Sequence, residues 1–311
     1  MYDVIIIGGG PAGVTAGIYI KRAGFNVLIL TNENSSIQKT DKIENYYGFK
    51  NPISGKDLYK NGIKQAERLG INIIKKEAIS IKYSETYDTE ETPQNSNDSQ
   101  NASNFEIITA NQGKDEKYEA RYVILATGVN RINAKIKGIE RFEGKGVSYC
   151  AVCDAAFYRN KDVAVLGNGN YAIGEIEELL PIAKNVTMLT NGKEPIENRD
   201  TIDIDERIIK EVRGENKIEE VAFEDGTIQK IEGLFVAQGT ASSLDFAKKI
   251  GAKIENNNIL VDENMQTTVK NIYACGDCTG GILQISKAIY DGTKAGLAII
   301  KELRKERSIW Y

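Results

Sequence analysis

The stretch Val4-Ile5-Ile6-Ile7-Gly8-Gly9-Gly10-Pro11-Ala12-Gly13 decides how this chain folds. Four apolar residues of strand type run straight into a Gly-x-Gly-x-x-Gly turn, and residues 12–23 continue at helical spacing before a second apolar run at 26–30. Strand, glycine turn, helix and strand in that order make a βαβ unit, and unbroken apolar strands suit a parallel sheet covered on both faces. In the turn, Gly8 permits the tight bend, Gly10 lets a pyrophosphate approach the backbone, and Gly13 lets helix and strand pack closely. Pro11 and Ala12 open the helix, whose free N–H groups and positive dipole end favour phosphate. A dinucleotide is therefore expected here. The acidic ribose partner expected about 20 residues beyond the turn is best matched by Glu33.

A second turn, Gly167-Asn168-Gly169-Asn170-Tyr171-Ala172, follows the apolar run 163–166. It keeps the outline and changes the interior, because Tyr171 puts a large ring where phosphate and backbone need to meet. The next strand ends in Leu189-Thr190-Asn191-Gly192, where arginine supplies 2′-phosphate selectivity or a carboxylate selects NAD. Neither is present. Lys193 and Arg199 are the remaining candidates for a divergent nucleotide site, against a domain kept only as scaffold.

Two further apolar runs, 122–128 and 234–239, each end in glycine and read as crossings between domains. The fold class expected is α/β, with two Rossmann-like (three-layer ββα) dinucleotide-binding domains, the second inserted into the first. Its boundaries are placed at 1–117 with 246–311, and at 118–245. Residues 84–104 are rich in Ser, Asn, Asp, Glu, Gln and Thr, too polar to offset ordering entropy, and read as a solvated insertion in a β-hairpin.

With 311 residues and a net charge of −4, both signs interspersed, the chain gives no footprint for nucleic acid or a membrane surface. The N-terminal run enters glycine without a basic region or cleavage site, and no apolar run reaches the roughly 20 residues of a membrane helix, so a cytoplasmic protein is expected. Histidine is absent, which leaves acid–base work to carboxylates, thiols or a cofactor.

The four cysteines form two Cys-x-x-Cys pairs. A four-thiolate zinc site fails on the long separation between the pairs, so no metal is expected. Cys150-Ala151-Val152-Cys153-Asp154 precedes Ala155-Ala156-Phe157, which can continue as a helix, and a thiol at a helix N-terminus is a competent nucleophile. Asp154 is placed to shuttle protons. Cys275 and Cys278 instead read as packing residues around Gly276-Asp277, where a strand-end carboxylate can accept hydrogen bonds from sugar-like hydroxyls.

Together the turn at 8–13, Ile43-Glu44-Asn45-Tyr46-Tyr47-Gly48-Phe49, Ala126-Thr127-Gly128, Tyr149-Cys150-Ala151-Val152-Cys153-Asp154 and Cys275-Gly276-Asp277 resemble the low-molecular-weight thioredoxin reductase family over nearly the whole chain. The resemblance implies FAD in the first domain, held by Gly8, Gly10, Pro11, Ala12, Gly13, Glu33, Ala126, Thr127, Gly128, Gly276, Gln284 and Ile285, with Asp277 on the ribityl chain and Asn45 beside the flavin. It also implies that Cys153 faces the isoalloxazine, that Cys150 attacks the disulfide of thioredoxin or a thioredoxin-like protein, that Asp154 is the acid–base, and that the protein is a homodimer. NADPH-dependent members carry His-Arg-Arg where this chain has Thr190-Asn191-Gly192. That departure is similar to the ferredoxin-dependent flavin thioredoxin reductases, in which reduced ferredoxin is the donor. Trp310 and Tyr311 then become candidates to cover the flavin face left vacant by nicotinamide. The rival readings are an NAD(P)H-dependent reductase with a divergent pocket and a non-catalytic flavin redox sensor.

Overall fold

The computed structural model describes residues 1–84, 104–110, 115–128, 136–197, 201–239 and 241–308, with the backbone alone at Val152, Cys153 and Ser308. The polar insertion between Ser84 and Asn104, Arg199, Trp310 and Tyr311 lie outside the described residues. The chain groups into two compact units, residues 1–129 with 242–311, and residues 130–241.

In the first unit, β1 (Tyr2–Ile7) leads into α1 (Pro11–Arg22) and β2 (Val27–Leu30), the βαβ unit that the glycine turn predicts. After α2 (Gly55–Arg68), residues 72–83 hold β3 (Asn72–Ile74) and β4 (Ala78–Tyr83). β5 (Phe105–Thr109) pairs antiparallel with β4 and with β6 (Glu116–Leu125), while β3, β2, β1 and β6 run parallel. All of β6 belongs to this unit, so the division falls later than the 117/118 boundary read from sequence. Val4, Ile5, Ile6 and Val123 to Leu125 are fully buried, each aliphatic side chain contributing about 1.5–3 kcal/mol.

The second unit contains β7 (Val147–Ser148), the one-turn α3 (Ala151–Asp154), β8 (Asp162–Leu166), α4 (Asn170–Leu179), β9 (Asn185–Leu189) and β10 (Asp203–Asp205). A separate antiparallel sheet follows, β11 (Ile209–Arg213), β12 (Glu220–Phe223) and β13 (Ile228–Lys230), and then β14 (Gly233–Val236). The parallel sheet has the order β10-β9-β8-β14-β7. Each parallel sheet, served by crossover helices, is the α/β architecture expected.

The chain returns through α5 (Ser243–Lys249), the hairpin β15 (Ile254–Glu255) and β16 (Asn258–Ile259), β17 (Ile272–Ala274) and α6 (Ile285–Ser308). β17 pairs parallel with β6 on the first unit's sheet, and α6 packs along α1. Among the described residues no helix is long and apolar enough to cross a membrane.

Candidate functional site

Strand register gathers the first unit's site. Leu125 pairs with Ile7 on one side and with Ala274 on the other, so three parallel strands end level and deliver Gly8, Ala126 to Gly128 and Gly276-Asp277 to one carboxyl edge. Ligands of parallel α/β sheets bind outside that edge. Gly8 has φ +122°, and a Cβ there would stand 2.2 Å from the Ala126 carbonyl oxygen. A Cβ on Gly13 would stand 2.1 Å from the Gly8 carbonyl oxygen, whereas one on Gly10 would meet only Ser35 Oγ, at 3.4 Å. The turn is thus tight where it packs and open where a phosphate approaches.

The Gly276-Asp277 turn is tied to α6. Gly276 N–H donates to Asp291 Oδ2 at 3.1 Å, and Lys287 Nζ donates to the Gly276 carbonyl at 2.8 Å while pairing with Asp291 at 2.7 Å. Burial is the first cause that raises the Asp277 carboxyl above its ordinary value; the charge of Lys287 opposes it and that of Asp291 adds to it. A carboxyl left short of solvent in this way is set to accept hydrogen bonds from a ligand.

The remaining residues expected at this site fall in several places. Asn45 Nδ2 donates to Gln284 Oε1 at 3.1 Å. Ile285 lines a cavity of about 270 Å³ with Gly9, Gly10, Pro11, Tyr46 and Phe49. Glu33 is exposed and pairs with Lys75 at 2.9 Å. Thr127 is engaged internally: its N–H donates to Ser243 Oγ at 2.9 Å, and its hydroxyl accepts the Ser243 N–H at 2.6 Å. Cys275 and Cys278 are buried free thiols, Cys278 pushed up to about 11 and Cys275 well above the ordinary thiol value, in each case first by burial. That burial suits the packing role read from sequence.

In the second unit, Ser148 pairs with Phe235 of β14 and Leu166 pairs with Val236, so the Cys150 loop emerges at the same carboxyl edge as Gly167. Cys150 is disulfide-bonded and only 3% exposed. Ser148 Oγ accepts the Cys150 N–H at 3.1 Å and donates to Asp154 Oδ2 at 2.7 Å, which connects the expected acid–base to the peptide of the expected nucleophile. The helix after the cysteines is a single α-turn followed by a 3₁₀ turn at Ala155–Tyr158. Its first N–H, on Ala151, is already taken by Glu175 Oε2 at 2.5 Å. One of the helix-end N–H groups expected to favour a thiolate is therefore held by a carboxyl.

Tyr171 also departs from expectation. Its ring does not stand over the turn but is buried, 2% exposed, with the hydroxyl donating to the Tyr149 carbonyl at 3.3 Å. The nucleotide end is bridged by other contacts. Asn168 Nδ2 donates to the Glu194 carbonyl at 2.9 Å and the Asn168 carbonyl accepts the Ile196 N–H at 2.8 Å, folding residues 194–196 onto the turn. Asn191 Oδ1 accepts the Ile209 N–H at 2.7 Å. Arg207, the nearby guanidinium, pairs with Asp205, donates to Thr227 Oγ1 at 2.6 Å and stacks over Phe223 at 3.9 Å.

Residues 2–292 match the family described as pyridine nucleotide-disulphide oxidoreductase. The chain belongs to that family. Thioredoxin reductase of Aquifex aeolicus is 32% identical over 328 residues, covering 99% of this chain and 95% of that protein. The atypical thioredoxin reductase TRi of Desulfovibrio vulgaris Hildenborough superposes with a TM-score of 0.85 at 34% identity, over 97% of this chain and 99% of that one. A ferredoxin-flavin thioredoxin reductase of Clostridium acetobutylicum superposes at 0.68 with 28% identity, over 98% of both chains.

This pyridine nucleotide-disulphide oxidoreductase is accordingly a flavin disulfide oxidoreductase of the low-molecular-weight thioredoxin reductase type. The flavin the family implies fits the first unit, where an open Gly10, the head of α1 and the raised Asp277 carboxyl supply a phosphate cradle and a hydroxyl acceptor. Sequence reading missed Glu175, Ser148, Ser243 and the Lys287–Asp291 pair. Only Glu175 carried a signal: it is an acid on the buried face of α4, between Tyr171, Ala172 and Ile176.

Proposed function

We propose that this chain reduces thioredoxin, or a thioredoxin-like protein, through Cys150 and Cys153, with reduced ferredoxin rather than NAD(P)H as donor and FAD as the cofactor. The observation that carries the donor assignment is the closure of the second glycine turn, where Asn168 holds residues 194–196 and Asn191 is committed to Ile209. Glu194 and Glu197 follow Lys193 and outnumber it with carboxylates in a segment where an NADP phosphate needs cations. The likeness to the Clostridium ferredoxin-flavin enzyme supports the same reading.

Bound FAD supplies the exchange between single electrons and pairs that joins a one-electron donor to a disulfide. Asp277 would accept hydroxyls of the cofactor chain, Gly10 would admit its pyrophosphate, and Asn45, held by Gln284, would border the ring. Once the pair is reduced, the Cys150 thiolate attacks the partner disulfide and Cys153 resolves the mixed disulfide. Asp154, hydrogen-bonded through Ser148, takes and returns the proton. If Trp310 and Tyr311 cover the flavin, as the sequence suggests, deletion of residues 309–311 shifts its visible absorbance.

Anaerobic mixing of the purified protein with reduced ferredoxin, NADPH and NADH in turn tests the donor. Flavin bleaching and thioredoxin turnover are expected with ferredoxin alone. Rapid bleaching by either nucleotide overturns the assignment in favour of an NAD(P)H-dependent reductase, and absence of turnover with all three favours a redox sensor.

A further inference from the structure

The helix that opens at the dismantled nucleotide turn holds the redox loop instead. Tyr171 and Glu175 are one turn apart on the buried face of α4, and they grip the two peptide groups on either side of Cys150. The Tyr171 hydroxyl donates to the Tyr149 carbonyl at 3.3 Å, and Glu175 Oε2 accepts the Ala151 N–H at 2.5 Å. Both side chains are shut off from solvent, 2% and 1% exposed, and so is Cys150. Hydrogen bonds to a carboxylate in such surroundings are strong, and a second negative charge placed beside it is costly.

We propose that Glu175 is a positioning residue that sets the reducing strength of the Cys150 disulfide. The inference rests on Cys150 being redox-active. Reduction breaks the S–S bond and takes up an electron pair with two protons, one per sulfur. Where Cys150 is left as a thiolate, one proton fewer is taken up and the charge stays beside Glu175. Glu175 also occupies the amide at the head of α3 that would otherwise support that charge. Both effects disfavour the thiolate, raise the Cys150 thiol, and keep the pair oxidised until a strong reductant acts, so the reduced enzyme in turn is a strong donor to partner disulfides. The other titratable groups around the loop are Asp154 on Ser148, Tyr149 with its hydroxyl on Glu143, Tyr171, and Tyr158, raised first by burial and then by the charge of Asp154. Asp154 and Glu143 act in the same electrostatic direction as Glu175, and among the described residues it is Glu175 whose carboxyl takes the N–H of the peptide that follows Cys150.

The test is a redox titration of the FAD-loaded protein in dithiothreitol buffers, with thiol trapping and no partner protein, comparing the parent with Glu175→Gln and Tyr171→Phe. Glu175→Gln keeps an acceptor for Ala151 and removes the charge. It is expected to shift the equilibrium toward the reduced pair at least tenfold, about 30 mV for a two-electron couple, at pH above the thiol midpoint of the parent and little at neutral pH, with Tyr171→Phe shifting it less than threefold throughout. An unchanged equilibrium in Glu175→Gln above that midpoint, or an equal shift in Tyr171→Phe, overturns the proposal. A measurement on the parent residues stands apart from how Glu175→Gln folds: in a Cys153→Ser background, ultraviolet thiolate absorbance, read as the difference from the Cys150→Ser/Cys153→Ser protein, follows Cys150. A midpoint above the ordinary thiol value of about 8.5 is expected, and one at or below it overturns the proposal. Because no partner takes part, a null result leaves the assignment of thioredoxin as substrate untouched.

Discussion

Gly8 has little freedom in the cofactor site. It combines a left-handed φ with a Cβ position inside the Ala126 backbone, so an alanine must displace β6 or unwind the turn. Strain and overpacking together predict a loss of about 3 kcal/mol or more for Gly8→Ala, read by urea unfolding, and a protein purified without flavin colour. Asp277 makes a subtler prediction. A carboxyl raised on folding holds its proton more tightly in the native state, so the stability it carries is complete below the unfolded value near 4 and is lost as pH rises through the folded value. Asp277→Asn removes that loss. The flavin-free variant should gain stability over its parent near neutral pH and none in acid, while binding FAD more weakly. Urea unfolding from about pH 3 to pH 7 decides it, since a difference constant across that range contradicts the burial argument.

Among the elements, α5 and the turn after β9 do opposite work. α5 begins with a capping box, Ser242 Oγ accepting the Asp245 N–H at 3.3 Å and Asp245 Oδ2 accepting the Ser242 N–H at 2.8 Å, and its next residue locks Thr127. Ser242→Ala is expected to cost about 1 kcal/mol in chemical denaturation. The turn at 190–192 has been turned inward. Asn191→Arg restores a cation in name, yet it strips the Ile209 N–H of its acceptor and leaves residues 194–196 on Asn168. We expect about 1–3 kcal/mol of destabilisation and still no flavin bleaching by NADPH; a variant that NADPH reduces would show the pocket to be one substitution from open. Strand ends and glycine turns were legible in the letters because their signals are local: apolar run, glycine, apolar helix. Glu175, Ser148 and Ser243 were not, because each acts on a peptide group brought to it by tertiary packing. Tyr171 was noticed for its size and misread for its direction, since a sequence shows which ring is present but not which side of the helix is buried. The antiparallel strands β11 to β13 were passed over for a related reason: their short runs carry charged residues such as Lys210, Glu211 and Arg213, which blur alternation.

At the scale of the whole molecule, the residues divide the labour between the two units. Every group assigned to the flavin belongs to 1–129 or 242–311, and the Cys150 loop with its supports belongs to 130–241. Each unit has its own apolar core, Val4, Ile6 and Ile124 in one and Leu166, Phe223 and Leu234 in the other. Damage to one site should therefore leave the other intact. Cys150→Ser removes the nucleophile and the disulfide without touching the cradle, so it should retain full flavin occupancy and lose thioredoxin turnover with every donor. Flavin-free Gly8→Ala should lose turnover equally while its Cys150 disulfide still titrates with dithiothreitol as in the parent. Absorbance for flavin content and thiol trapping for the disulfide measure the two halves separately. If Cys150→Ser sheds its flavin, or if the disulfide of the flavin-free protein titrates at a different equilibrium, the two sites are energetically coupled and the reducing strength attributed to Glu175 has a second determinant in the cofactor unit.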